Sequence, residues 1–425
     1  MGVCVSERQK YKSKMSLNQT QEDYKVNETE ESKFYTQEKT TISRIPNKII
    51  EISLNSKKTI IKTIGNIKGE LIMIKNNINC IILIMDYSYS ITIQNCQNCS
   101  ILLGPCQTLI EVEDCQNLNI ISISLNLKIV NVKESNFFSF VSNSPIIESS
   151  EKINLGHFFI QYMELPEMFV KSKLNIWNNK WSNYKEIGDI NFEIKYADEK
   201  IKQNIIDVFM NIFPKCYINI DQFQFMPFTY GKSIDTENYN NFLIILRQED
   251  FPEGEILKMI LPEEIENYSM KLISTLIVKE NSNIFKKLIK QLEGNKENNN
   301  LINYLLRIND NNNEDNDSSQ NSQEKDNNKY NHNNSISTTN KNRLNEFDLS
   351  NNDIYMNNNN LKFLQKKDFL FLWFVYENDD FEEINDYFNS FFEPLYVYII
   401  SKQQFNLDDE GMFQKKLIKI FGINN

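Results

Sequence analysis

From about Ile67 to Ser150 the chain alternates short apolar runs with polar corners at a nearly fixed period. NINCIILIMDYSYSITI is followed by CQNCSILLGPCQTLIEV, CQNLNIISISLNLKIV and ESNFFSFVSNSPIIE. Asn79, Asn98, Asn117 and Asn136 recur every nineteen residues, and Cys96 and Cys115 repeat two residues before their asparagines. Such a period is about three strands of six residues, one coil of a β-helix. One coil cannot hide its Ile, Leu and Val side chains alone. Stacked coils bury them in a continuous column, each contributing roughly 1.5–3 kcal/mol. Asparagines at the corners tolerate left-handed backbone and can hydrogen-bond from coil to coil. The pattern predicts a right-handed parallel β-helix over residues 46–185, in preference to a β-sandwich with evenly spaced turns. Trp177 and Trp181 are expected to close its open end, because an uncapped β-helix exposes strand edges and core.

Beyond the ladder the periodicity changes. Residues 186–238 read as a mixed connector with one helix over 201–213. Within it Gly231-Lys232-Ser233 resembles the end of a phosphate loop, but Met226 stands where the first glycine would be, so a turn is expected. Residues 239–425 alternate strands and helices. Strands are expected at 241–246, 271–279, 369–376 and 395–400. Helices are expected at 254–268 with a break before Pro262, at 282–292 with a stop at Gly294, and at 380–392. This order has the scale of a ferredoxin-like α+β domain. Residues 309–360 are nearly all Asn, Asp, Ser, Lys and Gln, too polar to form a core, and read as a disordered insertion.

Charge and composition narrow the chemistry. A formal charge of −11 over 425 residues argues against general nucleic-acid binding. No run of about eighteen apolar residues predicts a membrane span, and no apolar stretch opens the chain as a secretory signal. The seven cysteines are then expected in a reducing compartment. Cys96 and Cys99 form a CxxC, but no second CxxC follows, and His157 and His332 are far off in sequence, so neither metal nor cofactor is expected.

The first residues, MGVCVSERQKYKSK, carry a different signal. Gly2 with Ser6 fits N-myristoylation, Cys4 would then be held at the bilayer for palmitoylation, and Arg8, Lys10, Lys12 and Lys14 form a basic patch. One myristoyl chain gives an association constant of only about 10⁴ per molar, so a second signal is needed for firm anchoring. Residues 1–45 therefore read as a lipidated flexible tail, and the expected location is the cytoplasmic face of a membrane.

Cys96-x-x-Cys99, Leu103-Gly104-Pro105, Pro145-Ile146-Ile147-Glu148-Ser149-Ser150 and Asn178-Asn179-x-Trp181-Ser182-Asn183 resemble the tubulin-cofactor-C domain family. The resemblance implies a β-helix of the cofactor-C and CAP type. It also implies a GTPase-activating protein or effector for an Arf-like small GTPase in its GTP form. Such a protein controls delivery of lipidated cargo to the cilium, from the plasma membrane and the ciliary base. In this family an acylated tail and a nucleoside-diphosphate-kinase-like ferredoxin domain can accompany the β-helix.

The family's arginine finger stands in a Gln-Phe-Arg-x-Arg stretch. Counting back from PIIESS, the matching residues are Asn126, Leu127, Lys128, Ile129 and Val130, so Lys128 holds the finger position and Val130 that of the second arginine. Glu148 matches the family's acidic contact with the GTPase. The resemblance thus implies a GTPase-binding set of Asn126, Lys128 and Glu148. An arginine finger is worth about 10³–10⁵ in rate through its planar, paired hydrogen bonds, and lysine keeps only the charge. The protein is expected to act on a partner GTPase and not to be an enzyme itself. No histidine lies in the ordered part of the C-terminal domain to carry a phosphoryl group. Two other readings stand beside this one: a tubulin-directed factor in microtubule or basal-body function, and a passive β-helical scaffold.

Overall fold

The computed structural model describes residues 46–188, 193–212, 226–234, 239–247, 267–293, 298–306, 368–377, 384–388, 398–401 and 410–421, with a few single positions between them. Gly2, Cys4, most of the helix expected at 254–268 and the insertion at 309–360 lie outside the described residues.

Twelve strands form a parallel β-helix of about six coils. They are β1 (Ile49–Ser53), β2 (Thr59–Lys62), β3 (Leu71–Lys75), β4 (Ile81–Ile84), β5 (Ser90–Gln94), β6 (Ser100–Glu113), β7 (Asn119–Val130), β8 (Lys133–Val141), β9 (Ile146–Glu148), β10 (Glu151–His157), β11 (Lys185–Ile187) and β12 (Ile194–Tyr196). One face stacks β1, β3, β5, then the second halves of β6 and β7, then β9 and β11. A second face stacks β2, β4, the first halves of β6 and β7, then β8, β10 and β12. Along the first face Ile52, Ile74, Ile93, Val112, Ile129 and Ile147 pair in register and are buried. This is the apolar column that single coils cannot form alone.

The corner between the two faces has a fixed construction. Leu54, Asn76, Asn95, Asp114, Asn131 and Ser149 are left-handed, and so are Lys57, Asn79, Asn98, Asn117, Glu134 and Lys152, three positions on. Asn, which tolerates this conformation, fills six of the twelve positions. The expected period of nineteen holds from Asn79 through Asn98 to Asn117, and Asn117 Nδ2 donates to Asn98 Oδ1 at 2.7 Å. Asn136 does not continue this row. Its coil is two residues shorter, Glu134 takes the left-handed corner, and Asn136 pairs instead with Asn119, seventeen residues back. It belongs to a second polar ladder, Ser100–Asn119–Asn136–Asn154, linked side chain to side chain.

The motif residues have structural duties in this frame. A Cβ on Gly104 would stand 2.6 Å from the Asp86 carbonyl, so this position of β6 admits no larger residue. In PIIESS, Ile147 points into the core and Ser149 makes the left-handed corner. The Ser150 hydroxyl accepts from the Val132 amide and donates to the Glu148 carbonyl.

After the last coils comes α1 (Leu165–Ser172), which starts with Pro at its first turn and buries Leu165, Met168 and Phe169. The segment 175–184 then lies along the coil edge. Asn179 Oδ1 accepts from the Val141 amide, and the Lys180 amide donates to the Val141 carbonyl. Trp177 and Trp181 are both buried there, and the last strands of the β-helix, β11 and β12, follow them in sequence. Next is α2 (Glu199–Met210), capped by Asp198, whose carboxylate accepts from the Ile201 amide.

The C-terminal sheet has four antiparallel strands, β13 (Asn240–Arg247), β14 (Met270–Lys279), β15 (Asp368–Tyr376) and β16 (Tyr398–Ile400), in the order β14-β15-β13-β16. This order and direction are those of a ferredoxin-like sheet. Both faces are covered, which explains why β13 and β15 read as unbroken apolar runs. Phe242, Ile244, Leu370 and Leu372 point to the side of Ile256, Met259 and Phe388. Leu243, Ile245, Phe371 and Trp373 face α3 (Asn283–Leu292), α4 (Asn299–Leu306) and α5 (Glu410–Phe421). The first cluster continues through Trp177 and Phe169 to Leu102, Ile121 and Phe140 of the β-helix, so the two sheets share apolar packing.

The Gly231-Lys232-Ser233 stretch is a single 3₁₀ turn. Gly231 has φ of 56°, and a Cβ there would collide with Ser182 Oγ. The Lys232 amide donates to that same hydroxyl, and Trp181 Nε1 donates to the Thr229 carbonyl. The turn docks on the end of the β-helix and has no phosphate-loop geometry.

Candidate GTPase-facing site

Strand alternation decides which side chains of β7 face out. Leu127 and Ile129 are buried in the column, so Asn126, Lys128 and Val130 point away from it. Lys128 stands opposite Glu111 of β6 on one side and Ile146 of β9 on the other. Its Nζ lies 3.3 Å from Glu111 Oε1 and 4.0 Å from Glu148 Oε2. The lysine is thus held between carboxylates from the coil before and the coil after. All three side chains are roughly a third exposed (30%, 27% and 38%). Ion pairs so open to water contribute about 0–1 kcal/mol, so this grip is readily exchanged for another.

Glu113 completes the face. It pairs in register with Val130, which pairs with Glu148 on its other side. Burial raises the Glu113 carboxyl above the usual range, and the nearby negative charges of Asp114 and Glu111 add to this, while Lys128 opposes it. Gln94 Nε2 donates to its Oε2 at 3.2 Å. Lys128 therefore has Glu111 and Glu148 as ion-pair partners and acts on Glu113 through its charge.

Of the three residues expected to form the site, Lys128 and Glu148 come together. Asn126 lies on the same outward side of β7, two residues from Lys128, but its amide is engaged elsewhere. Its Nδ2 donates to the Thr108 carbonyl at 3.0 Å, and its Oδ1 accepts from Asn143 Nδ2 at 2.9 Å. Glu111 is an addition that the sequence reading missed. Its signal is the Glu-Val-Glu alternation at the end of β6, seventeen residues before Lys128 and Val130.

No arginine occurs in the sequence between Arg44 and Arg247, so the β-helix has no arginine to stand in for Lys128. Among the described residues no group of three or more His, Cys, Asp or Glu is placed to hold a metal ion. Among them, too, no helix is long and apolar enough to cross a membrane. His157, the one histidine among the described residues, packs on Phe228 and Trp181, and burial pushes it down to about 3.

The sequence model of the family described as Tubulin binding cofactor C matches residues 69–187, the coils that carry this face. Protein XRP2 of Xenopus laevis is 34% identical over 281 residues, which cover 65% of this chain and 76% of that protein. Protein XRP2 of Homo sapiens is 44% identical over 133 residues, covering 31% of this chain and 38% of that one. The Danio rerio protein of the same name is 41% identical over 133 residues, covering 35% of its length. The 281 residues matched in the Xenopus relative are more than the β-helix contains, so that likeness extends past it. With its LGP and PIIESS stretches built into a parallel β-helix, the chain belongs to the tubulin binding cofactor C family and is similar to Protein XRP2.

Proposed function

We propose that this protein is a membrane-anchored regulator that binds an Arf-like small GTPase in its GTP form through the Lys128 face. It would serve in the delivery of lipidated proteins to the cilium. The observation that carries the reading is the placement of Lys128 between Glu111 and Glu148, on the outward face of the coils that match the family. A cation at the finger position, with Glu148 beside it, is the pair the family resemblance assigns to GTPase contact. Weak, solvent-open ion pairs leave the lysine free to turn toward a phosphate when a partner docks.

The chemistry available to Lys128 limits catalysis once a partner has docked. It can approach a phosphoryl oxygen as a point charge but cannot make the two parallel hydrogen bonds of a guanidinium. Two carboxylates also compete for it. The protein is therefore an effector with weak activating power, acting on a partner and not itself an enzyme. Residues 1–45, acylated at Gly2 and Cys4, would hold it at the cytoplasmic face of the plasma membrane near the ciliary base.

The description of the matched family favours a second reading, a tubulin-directed factor. The experiment that separates them is a titration of the full chain against GTP- and GDP-loaded Arf-like GTPases and against tubulin dimer. Selective binding of a GTP-loaded GTPase, reduced by Glu148→Ala, is the expected result. Binding to tubulin alone would replace this reading with the second.

A further inference from the structure

The corner column of the β-helix brings two thiols together. Cys96 and Cys115 occupy the same corner position in consecutive coils, next to the paired Gln97 and Gln116. The Cys96 amide donates to Cys115 Sγ at 3.3 Å, and the Gln116 amide donates to the Cys96 carbonyl at 3.1 Å. Adjacent coils stack about 4.8 Å apart, inside the ~4.4–6.8 Å Cα separation that a disulfide spans.

Asn77 Nδ2 lies 3.9 Å from the Cys96 sulfur, in the preceding coil, and the two thiols donate to carbonyls of their own coils, Cys96 to Gln94 at 3.5 Å and Cys115 to Glu113 at 3.1 Å. A neighbouring thiol and amide donor favour the charged form of one sulfur of the pair, and the neighbouring Cys115 thiol, followed by Asn77, lowers Cys96 below the ordinary thiol value despite its burial. The other half of the CxxC behaves differently. Burial pushes Cys99 up to about 11, and its thiol donates to the Gln97 carbonyl at 3.2 Å. Cys106 is likewise pushed up to about 11 by burial. Cys96 and Cys115 lie one layer beneath the exposed Asn95, Gln97, Asp114 and Gln116, so only a small oxidant could reach them.

We propose that Cys96 and Cys115 are a modification site, a reversible dithiol–disulfide pair closed by a small hydroperoxide, which staples two consecutive coils beside the Lys128 face. The Cys96 thiolate attacks one peroxide oxygen, the O–O bond breaks, and the leaving hydroxide takes a proton to become water. Cys115 then attacks the resulting sulfenic sulfur, the S–S bond forms, and the S–O bond breaks to release a second water. Two thiols lose two electrons and two protons in total, and hydrogen peroxide is reduced to two waters. An external dithiol reverses the step by exchange. The bond joins two coils, unlike one within the sequence-adjacent pair of the CxxC.

The test treats the folded full-length chain with hydrogen peroxide, blocks remaining thiols by alkylation, and maps cross-linked peptides by mass spectrometry. The expected product is a Cys96–Cys115 link that dithiothreitol reverses, formed faster as pH rises because the thiolate is the attacking species. Cys96→Ser and Cys115→Val should abolish it, whereas Cys99→Ser should not. Val132 and Ser150 fill the same column in the following coils, so these replacements suit the site, and circular dichroism checks that each variant is folded. A Cys96–Cys99 link, or no link until the chain unfolds, would overturn the proposal on the wild-type protein alone.

Discussion

Lys128 Nζ stands 3.3 Å from Glu111 Oε1, although seventeen residues separate them in sequence. The pair exists because β6 and β7 stack in parallel register, and it sets the resting state of the surface that the family resemblance assigns to GTPase contact. On the proposed function, partner binding draws the lysine away from Glu111. Glu111→Gln removes that competitor and keeps the shape. It should change the melting temperature little, since the pair is worth about 0–1 kcal/mol, and should tighten binding of a GTP-loaded Arf-like GTPase by up to about fivefold. Calorimetric titration of both proteins measures it, and weaker binding would make Glu111 a contact of its own.

Glu148 is the acidic member of the site on the far side of the lysine. It lies on a short strand whose backbone is fixed by Ser149 and Ser150, so its side chain can be cut without loosening the coil. Glu148→Ala should weaken binding of the GTP form by ~1–3 kcal/mol, the scale on which a charge-assisted hydrogen bond at an interface acts. Unchanged affinity at unchanged stability would assign Glu148 a purely intramolecular role.

His157 gives the fold an acid limit. Burial holds its folded value near 3, below the ordinary histidine value, so the unfolded chain takes up a proton first as pH falls. Its contribution to stability is therefore complete above about pH 6.5, declines by at most ~1.4 kcal/mol per pH unit below it, and stops changing below about 3. His157→Phe, placed among Phe228 and Trp181, should flatten the fall in melting temperature between pH 6.5 and 4. Identical pH profiles for both proteins would remove His157 as the cause.

Gly231 tests the docking of the 3₁₀ turn on the end of the β-helix. A methyl group there meets Ser182 Oγ in a left-handed backbone that disfavours side chains. Gly231→Ala should cost about 1–3 kcal/mol in denaturant unfolding, and adding Ser182→Gly should recover part of it. Wild-type stability of the single variant would mean the turn can move aside.

Much of this architecture was legible in the sequence, for reasons that differ by region. The β-helix announced itself because each coil repeats a corner, and a corner demands Asn or another residue that tolerates left-handed backbone. The strands of the C-terminal sheet were legible as unbroken apolar runs such as Phe369–Tyr376. The register failed at Asn136, because a coil shortened by two residues moves every later position while leaving an asparagine nineteen residues on by coincidence. α1 went unseen since LPEMFVKS is only eight residues long, and α5 because its buried residues, Phe413, Gln414, Leu417 and Phe421, include a polar side chain. Glu111 escaped because a site assembled across coils is invisible until the local period is known, and here it is seventeen and not nineteen.

The tail can be tested separately from the face. Gly2→Ala should release the protein from membranes, whereas Cys4→Ser should leave weak, reversible association, as one acyl chain alone provides. Fractionation with Gly2→Ala still firmly bound would require a different anchor.

Single-turnover hydrolysis of GTP on an Arf-like GTPase, with the protein in saturating amounts, measures what Lys128 does at the phosphate. The wild type should bind but accelerate hydrolysis weakly, because Lys128 supplies charge without the paired hydrogen bonds of a guanidinium. Lys128→Arg should raise the rate at least about tenfold, part of the ~10³–10⁵ available to a well-placed arginine. Full activation by the wild type that survives Lys128→Ala would mean that a group other than Lys128 acts on the phosphate.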